Sequence, residues 1–467
     1  MKMNTSRRVT MQLVSRIFLA SACALVAVGG ATVRAAVHRT APITLTFAGW
    51  DPQDILGDLA SPCLKQLPGV TVRLQFIPQN GYETKLQTGF AGGTAPDVFY
   101  SLEGDALKWA AAGDIMNQTP ALKKLGVSVR NILPAAQWKY QNQYLGTSFG
   151  TTDVVLYYNK AVFKQAHLPI PPTNATHAWA WSQFVRVAQE LTIDNKGRHP
   201  YDAHFDPNHI ARYGVTIGED WFHLLPLVFS NGGALFDSAN RHFTLNQPAA
   251  ATALQAWADL ANKYHVMPTP SQSASGAGSI SLASGRIGMQ LDGTYLLWFF
   301  QHTSQDTRTT GAFPIGMGVL PIFKQYRTAI AGTGIVAFAH SAHPTQALQL
   351  AMCITATGGT GFSGAKAIQR RIFTEGLAMP NQYDLLQGAN FELWAANKFH
   401  PAEFRTVAVD TLKYAPEIPY KTTTQFGTVW NTLVTPALDR VIGGQTSARD
   451  ALNGIAPQVN ALLAQGH

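Results

Sequence analysis

Five carboxylates stand where acid–base chemistry could use them: Asp51, Glu103, Asp153, Asp220 and Asp292. Hydrolysis of a glycosidic bond needs two carboxyl groups roughly 5–10 Å apart, one on each side of the bond. Any two of these five could supply that pair once the chain is folded. A secreted carbohydrate-active hydrolase is therefore one function that these residue types allow.

Residue types that bind metals or nucleotides are present but poorly arranged. His199, His204 and His209 are five residues apart in a segment rich in Asp and Pro. Neither a helix nor a hairpin explains that spacing, so we interpret the segment as a solvated loop rather than a metal site. The glycine-rich stretch 359–366 lacks the Gly-Lys-Ser/Thr ending of a phosphate-binding loop. We expect no metal and no cofactor.

A sheet predicted near the start of the chain would position several of the candidate polar groups. Residues 43–47 and 70–76 alternate apolar and polar side chains, and residues 97–100 form a third short strand, with room for a helix between neighbours. This order predicts a parallel α/β lobe, in which ligands bind beyond the carboxyl ends of the strands. The residues at those ends are Trp50, Asp51, Ser101, Glu103 and Asp105. The alternatives are packing of Trp50 at the lobe edge and a solvated loop over 101–105.

Three helices are predicted further along from apolar residues that recur with a period of about 3.6. The first follows Asn246, which we expect to cap it; the second is capped by Ser182; the third begins at Ser447. Pro457 lies inside the third and should kink or split it. The stretch 269–281 is rich in Ser, Gly and Ala and predicts an exposed loop.

The positive charge of the chain is concentrated at its start. The 467 residues include 35 basic and 27 acidic ones, for a formal charge of +8. Five basic and no acidic residues lie in residues 1–36, so 30 basic residues face 27 acidic ones in the rest. This balance gives no reason to expect a nucleic-acid partner. Beyond residue 36 only Cys63 and Cys353 remain, and the sequence leaves open whether they form a disulfide.

Residues 1–36 have the order of a secretory signal peptide: basic residues, an apolar run and small residues at its end. We therefore expect an exported protein. Cys23 lies in an imperfect lipoprotein cleavage box, so a lipid anchor stays an alternative to free secretion, and Arg7-Arg8 leaves the export route open. No later run reaches the ~18 apolar residues that span a bilayer.

Several segments, taken in order, resemble the extracellular solute-binding proteins of ATP-driven sugar importers, of the maltodextrin-binding type. The segments that carry the resemblance are Gly89-Phe90-Ala91-Gly92-Gly93-Thr94-Ala95-Pro96-Asp97-Val98, Leu156-Tyr157-Tyr158-Asn159-Lys160, Ala166-His167-Leu168-Pro169, Trp181-Ser182-Gln183-Phe184, Gly285-Arg286-Ile287-Gly288-Met289 with Asp292-Gly293, Leu320-Pro321 and Gly332-Thr333-Gly334. Each motif alone is weak, but their order and spacing cover nearly all of the chain beyond the leader.

The resemblance implies an α/β fold of two lobes, the type II fold of periplasmic binding proteins, with a ligand cleft between lobes joined by a multi-strand hinge. By analogy the chain crosses near Thr152, Val319 and Ala378. The N-terminal lobe then comprises residues 37–152 and 320–378, and the C-terminal lobe comprises 153–319 and 379–467. The implied function is binding of a carbohydrate, an oligosaccharide by preference, by a monomer that closes on it and delivers it to the membrane permease subunits of an ABC importer.

The resemblance also implies further ligand-binding residues, because a sugar needs aromatic rings against its C–H face and polar side chains at its hydroxyls. They are Thr152, Asp153, Asp220, Trp221, Phe222, Asp292, Tyr295, Trp298, Gly332, Gly334 and Trp430. Other roles stay open: Asp220 could cap a helix above buried Trp221 and Phe222, and Trp298 and Trp430 could belong to the core. Thr152 departs from the maltodextrin-binding pattern, which has an acid there, and this puts maltose itself in doubt.

Overall fold

The computed structural model describes residues 42–126, 128–275, 280–302, 315–355, 371–416 and 423–465. The predicted signal peptide with Cys23 lies outside these ranges, as does the glycine-rich stretch 359–366. None of the helices within these ranges combines the length and the apolar character needed to cross a membrane.

Twelve strands and sixteen α-helical segments make up the described part of the chain. The strands are β1 (Ile43–Gly49), β2 (Val70–Phe76), β3 (Val98–Ser101), β4 (Gln137–Tyr140), β5 (Gln143–Ser148), β6 (Thr152–Asn159), β7 (Ile193–Asp194), β8 (Ile210–Ile217), β9 (Ile287–Gly293), β10 (Ile315–Gly318), β11 (Ile330–Ala331) and β12 (Gly334–Ala337). The helices are α1 (Gln53–Leu64), α2 (Tyr82–Ala91), α3 (Glu103–Ala112), α4 (Thr119–Lys124), α5 (Lys160–Gln165), α6 (Trp181–Leu191), α7 (Trp221–Ser230), α8 (Pro248–Asn262), α9 (Pro270–Ser275), α10 (Leu296–His302), α11 (Pro344–Ile354), α12 (Arg371–Thr374), α13 (Gly388–Ala395), α14 (Phe426–Thr428), α15 (Thr435–Ile442) and α16 (Ala448–Leu463). A π-helical segment, Val429–Val434, joins α14 to α15.

The first lobe is built on a sheet with strand order β2-β1-β3-β12-β5-β4. β1 pairs in parallel with β2 and β3, so that Phe47 lies opposite Leu74 and Val98. The predicted parallel α/β unit is therefore confirmed for these three strands. The other half of the sheet is antiparallel, because β12 reaches β3 from the distant second lobe rather than through a local crossover helix.

The second lobe is built on a sheet with strand order β10-β6-β9-β8-β7, and β11 also pairs with β6. The central strand β6 is buried almost throughout, with Tyr157 opposite Met317 on one side and Gln290 on the other. Helices α7 and α8 pack on each other, and α16 packs on α8. The C-terminal helices thus complete the core of this lobe.

The chain crosses between the two sheets at two places, and a third extended segment, at Met379, lies beside the first of them. The chain passes from β5 to β6 between Ser148 and Thr152, and Thr151 exchanges two backbone hydrogen bonds of 2.7 Å with Met379. The second crossing, expected near Val319, comes later, between Ala331 and Gly334, because both β10 and β11 still pair with β6. The two sheets are therefore tied together by adjacent extended segments, which is the geometry of a hinge.

A disulfide, which the sequence left open, joins Cys63 of α1 to Cys353 of α11, with 5.8 Å between the Cα atoms. Both cysteines are buried, at 0% and 3% exposure. The bond closes a loop of 290 residues, which restricts the unfolded chain more than a short loop would. It stabilises the first lobe.

The ends of two predicted helices differ from expectation. α6 begins at Trp181, not after a Ser182 cap, because the backbone N–H of Trp181 bonds the carbonyl of Ile322, 2.8 Å away. α8 is preceded by Gln247, and Asn246 does not cap it; the Asn246 amide instead donates to Asn453 at 3.0 Å. α6 is capped locally from within, since the Gln183 side chain accepts from the Ala180 backbone N–H at 3.0 Å, whereas at α8 a partner distant in sequence takes up the Asn246 side chain.

The third predicted helix begins where expected, but it is not split, and the predicted loop contains a helix. Ser447 caps α16 through Asp450 N–H at 3.1 Å, as predicted. Pro457 does not split α16, because the buried Ile455 and Val459 hold both sides of it against the core. The stretch 269–281 was wrongly expected to be loop throughout, since it begins with α9.

Candidate functional site

A cavity of about 450 Å³ lies between the lobes and is lined by residues of both. Its walls and floor are formed by Trp50, Asp51, Gln79, Leu102, Phe149, Gly150, Thr151, Thr152, Asp220, Trp221, Phe222, His223, Tyr295, Phe299, Ala331, Gly332, Thr333, Leu377, Ala378 and Asn431. A cleft of this size that is rich in aromatic rings, with a few convergent polar groups, is typical of a small-molecule site.

Eight residues singled out from the sequence meet in this cavity. They are Trp50, Asp51, Thr152, Asp220, Trp221, Phe222, Tyr295 and Gly332. They come from β1, the first crossing, α7, the end of β9 and the second crossing. Residues separated by up to 282 positions in the sequence are thus brought to one place by the two sheets.

Seven other predicted residues do not line the cavity. They are Ser101, Asp105, Asp153, Asp292, Trp298, Gly334 and Trp430. Trp430 is 1% exposed and stacks on Phe426, with 6.5 Å between ring centroids, so the expectation that it stacks on a ligand gives way to a core role. Trp298 is 7% exposed and packs edge-on against Phe299. The Glu103 side chain lies outside the described residues.

The remaining members of that group have structural partners. Asp153 is fully buried and accepts a hydrogen bond from Thr411 at 3.1 Å; burial raises its pKa well above the usual range. Ser101 lies opposite Gly334 in the first sheet, and a Cβ at Gly334 would come within 3.0 Å of the Trp138 ring. These positions serve packing inside the lobes rather than the cavity.

The wall of the first lobe is formed by Trp50 and Asp51, directly after β1. Trp50 stands edge-on to Tyr82 and Tyr100, with 5.0 Å between centroids in each case. Asp51 is 8% exposed, and its carboxyl accepts a hydrogen bond of 3.0 Å from the Tyr100 hydroxyl. Burial raises the pKa of Asp51 to about 6; the hydrogen bond from Tyr100 offsets only part of the loss of water, and the charge of Asp54 adds to the rise.

The wall of the second lobe begins with Asp220, which caps α7. Its Oδ1 accepts hydrogen bonds from the backbone N–H groups of Phe222 at 2.9 Å and His223 at 3.2 Å. The side chain is nonetheless 56% exposed and lines the cavity. Capping and cleft lining, which were alternatives for Asp220, therefore occur together.

His223 was missed from the sequence. Its Nδ1 lies 2.8 Å from Asp220 Oδ1, and its Nε2 lies 3.1 Å from Asp292 Oδ1. These two carboxylates outweigh the effect of burial and raise the pKa of His223 to about 10. The only local signal is an Asp three residues before a His at the start of a helix; the second partner is 69 residues away.

Tyr295 completes this wall. Its hydroxyl donates to Asp292 Oδ1 at 2.6 Å, and the backbone N–H of Gly293 donates to the same oxygen at 2.7 Å. The His223 ring and these donors hold the pKa of Asp292 below its usual value despite burial. Asp292 thus lies behind the cavity and supports two residues that line it.

The floor of the cavity is formed by the two crossing segments of the hinge, residues 150–152 and 331–333. Thr152 Oγ1 lies 2.9 Å from Thr294 Oγ1. A Cβ at Gly332 would come within 2.7 Å of the Gly150 carbonyl and of Ser148, so only glycine lets these two crossing segments pack together. The role of Gly332 that the structure displays is this close approach of backbones.

A second cavity, of about 760 Å³, lies on the other side of β11. Ile330 lines it, whereas the next residue, Ala331, lines the first cavity, as expected for successive side chains of a strand. None of the residues predicted from the sequence lines the second cavity. The first cavity is the better candidate site.

Nucleophilic and metal chemistry find little support. Residues 146–150, Gly-Thr-Ser-Phe-Gly, have the spacing of a serine-hydrolase elbow, but Ser148 is 0% exposed and leads into another strand rather than a helix. Among the described residues no three metal-ligating side chains cluster. His209 pairs with Asp206 at 2.7 Å, and His199 Nδ1 lies 2.9 Å from the Thr192 carbonyl.

Comparison with known proteins gives a consistent picture. The family model described as "Bacterial extracellular solute-binding protein" matches residues 57–360, which is more than half of the chain. Among solved structures, an ABC substrate-binding protein from Listeria monocytogenes in complex with cycloalternan is 21% identical, with a TM-score of 0.75 over 90% of this chain and 99% of that one. A maltose/maltodextrin-binding domain from Bdellovibrio bacteriovorus bound to maltotriose is 15% identical, with a TM-score of 0.68 over 91% and 99%. The fold is therefore the two-lobe fold of periplasmic binding proteins.

Two curated relatives match part of the chain. A "Multiple sugar-binding protein" of Streptococcus mutans is 27% identical over 193 residues, 39% of each chain. An uncharacterized lipoprotein of Streptomyces antibioticus is 27% identical over 234 residues, 48% of this chain and 46% of that one. The chain therefore spans less than half the length of either relative.

Proposed function

The chain belongs to the bacterial extracellular solute-binding protein family, and from this premise we propose that it binds a carbohydrate between its lobes and delivers it unaltered to an ABC importer. The observation that carries the proposal is the cavity lined from both lobes by aromatic rings and hydrogen-bonding side chains. The names of the relatives, a multiple sugar-binding protein and complexes with cycloalternan and maltotriose, support the ligand class.

The chemistry of the cavity suits a sugar. Trp50 of the first lobe and Trp221, Tyr295 and Phe299 of the second offer ring faces and edges to C–H groups. Carboxylate, amide and threonine side chains can accept or donate hydrogen bonds to hydroxyls. No Lys or Arg stands among the described residues that line it. An uncharged sugar is therefore favoured over an acidic one.

Closure follows from the placement of these groups. A ligand that touches both Trp50 and Trp221 makes all its contacts only when the lobes are together, and this difference in contacts shifts the population toward the closed form. The permease subunits would read that closed form. We propose a monomer as the functional unit.

A thermal-shift screen over neutral sugars that include cycloalternan and maltotriose tests the ligand class. A sugar bound only by the folded protein raises the melting temperature, by the equivalent of about 2.7 kcal/mol at 100 times its Kd. We expect at least one oligosaccharide to do so. An unchanged melting temperature across a broad neutral-sugar panel, with a shift for a non-sugar solute, would contradict the proposal.

Site residues are tested by a matched pair of tryptophans. Trp50→Ala should weaken sugar binding by about 1–3 kcal/mol, because it removes a ring from the cavity. Trp430→Ala should instead lower stability by about 3–5 kcal/mol, because the ring is in the core. Equal loss of affinity in both variants, measured by calorimetry on folded protein, would refute the assignment of the cavity.

The hydrolase alternative predicts turnover. Members of a solute-binding family hold their substrate without transforming it, so incubation with labelled oligosaccharide should give stoichiometric binding and no products. Product in excess of one equivalent per protein would establish an enzyme. The carboxylates that line the cavity, Asp51 and Asp220, would then be the first to substitute.

We also propose export through the leader, in keeping with an extracellular family and a lipoprotein relative. Mass spectrometry of the mature N-terminus distinguishes the two forms. A diacylated Cys23 would establish a lipid anchor, and a start near residue 37 would establish free secretion.

A further inference from the structure

One imidazole ring lies between Asp220, which lines the cavity, and Asp292, which lies behind it. The His223 side chain is 7% exposed, and each ring nitrogen lies within hydrogen-bond distance of a different carboxylate, Asp220 at 2.8 Å and Asp292 at 3.1 Å. A carboxylate accepts hydrogen bonds, and a neutral imidazole carries only one N–H. Both bonds can form only when the ring is doubly protonated.

We propose that His223 is a positioning residue: a permanent imidazolium that fixes the Asp220 carboxylate and, through Asp292, the Tyr295 ring at the cavity. This inference rests on the proposed function only in assigning sugar binding to that cavity. His223 lines the cavity as well, but its charge is already shared between two carboxylates. It therefore adds no free cation to the site.

The other hydrogen bonds of each carboxylate explain how the His223 ring fixes the orientation of Asp220 and Tyr295. Asp220 Oδ1 accepts two backbone N–H groups of α7 in addition to the ring, so its plane is fixed relative to the helix. Asp292 Oδ1 accepts from Gly293 N–H and the Tyr295 hydroxyl in addition to the ring, while Gln290 donates to its Oδ2 at 2.9 Å. With His223 removed, both oxygens lose their charged donor.

The fold leaves little other room for this ring. A Cβ at Gly218 would lie 2.6 Å from His223 Nδ1, so the segment before α7 approaches the imidazole closely only because residue 218 is glycine. The ring is thereby held in one place between two elements, the start of α7 and the end of β9. A fixed ring is what a positioning role requires.

The two carboxylates that contact His223, Asp220 at the start of α7 and Asp292 at the end of β9, both favour its charged form. The phenols of Tyr295 and Tyr157 act on Asp292, and Glu219 acts on Asp220; none of the three brings a positive charge to the cluster. The pKa of His223, about 10 with these partners, keeps the ring charged across the neutral range. Its pKa lies above the value of 6.5 for an unperturbed His, so its contribution to stability is fully present below pH 6.5 and fades as the pH rises through 10.

The first experiment needs no sugar. We would record ¹⁵N spectra of the His-labelled protein from pH 6 to 10.5, with His223→Gln to assign the signal and His209→Gln as the matched control, since His209 is 68% exposed beside Asp206. The expected result is one ring with both nitrogens protonated up to about pH 9, lost in His223→Gln and kept in His209→Gln. A His223 signal that titrates near 6.5, or that reports one N–H at neutral pH, overturns the proposal.

The positioning role has its own readout. In protein labelled with ¹³C-Tyr, the Tyr295 ring signal should move in His223→Gln and stay in place in His209→Gln; an unmoved signal overturns the role. The melting temperature of His223→Gln should fall below that of the wild type at pH 7, with a gap that narrows above pH 10. If this variant does not fold, the ¹⁵N spectra of the wild type still decide the protonation state.

Sugar binding then separates the two proposals. His223→Gln should weaken binding of whichever panel sugar raises the wild-type melting temperature by at least tenfold, and His209→Gln should not. Absence of binding by the wild type, together with the doubly protonated ring and the shifted Tyr295 signal, contradicts the proposed function and supports the inference. Normal affinity in His223→Gln contradicts the inference and leaves the function standing.

Discussion

The two walls of the cleft carry the same residue type in opposite electrostatic settings. On the first lobe Asp51 is buried with a neutral phenol as its hydrogen-bond partner, and its pKa rises to about 6. On the second lobe Asp292 is buried against an imidazolium, a phenol and a backbone N–H, and its pKa falls below the ordinary value. Burial raises the pKa of both carboxyls. At Asp292 the charged His223 ring and the other donors more than reverse that rise, whereas Asp51 has only the Tyr100 phenol.

This difference assigns different roles to the walls. With a pKa of about 6, the Asp51 carboxyl changes between its protonated and ionised forms near neutral pH. The protonated form can donate a hydrogen bond to the ligand, and the ionised form can only accept one. The second wall stays charged and fixed by its network. The lobes also differ in covalent structure, since the disulfide joins two helices of the first lobe only.

The largest expected effect comes from Asp292→Asn. It leaves the buried His223 with a single carboxylate, and breaking a buried pair in this way costs about 3–5 kcal/mol. Because the pKa of Asp292 is lowered in the folded state, its stabilising effect is lost as the pH falls through that pKa, so the gap from the wild type should narrow in acid. Urea unfolding at pH 7 and at a series of pH values below 3.8 measures both. Asp206→Asn, in the exposed pair with His209, is the control and should change little.

Removal of the disulfide is the next largest. The double variant Cys63→Ala/Cys353→Ala should lower stability by about 2–4 kcal/mol through the first lobe. Hydrogen exchange should locate the loss around α1 and α11 and leave the second-lobe sheet protected. Uniform loss of protection in both lobes would show that the lobes unfold as one unit and would weaken the contrast drawn between them.

Asp51→Asn should have the opposite sign to Asp292→Asn. The pKa of Asp51 is raised from 3.8 to about 6 on folding, so the benefit of its protonated form is present below 3.8 and is lost as the pH rises through 6. A neutral amide escapes this loss and should stabilise the protein by up to roughly 3 kcal/mol at pH 7.5, with little effect near pH 4. If Asp51→Asn is less stable than the wild type at pH 7.5, then folding does not raise the pKa of Asp51, and the contrast with Asp292 is wrong.

The smallest effect tests the contact between the walls. A Cβ at Gly104 in α3 would lie 3.1 Å from Phe426 and 3.3 Å from the backbone nitrogen of Gly427 at the start of α14. Gly104→Leu should therefore hold the lobes apart and weaken sugar binding severalfold with a nearly unchanged melting temperature. Adding Phe426→Ala should restore part of the affinity. Gly454→Leu, at a helical glycine with nothing within 4 Å, controls for the added side chain; small-angle scattering reports the opening.

Three strands of the first sheet could be predicted from the sequence because the patterns that specify them are local. The alternation over 43–47 and 70–76 and the turn residues between strands predicted β1, β2 and β3, and Trp50 and Asp51 fall at the end of β1 as expected. The antiparallel half of that sheet was not predicted. Its strand β12 is supplied from beyond the second lobe, and no local pattern records its partner.

At the candidate site, too, the sequence predicted the residue types but not which of them line the cavity. Aromatic residues and acids near motif positions were identified from order and spacing, yet Trp430 and Trp298 turned inward while Trp221 and Tyr295 line the cavity. The ring type is identical or similar in each case. Which side of a helix faces the cleft depends on how that helix packs against the rest of the lobe.

The sequence by itself determined the family, the first strands and the set of residue types able to hold a sugar. Only the tertiary structure decided which of them share one cavity, that Cys63 meets Cys353, and that His223 stands between Asp220 and Asp292. The physical reason is range: periodicity, capping and turn chemistry act over a few residues. Burial, charge and hydrogen bonding between partners tens to hundreds of residues apart exist only after the chain has folded.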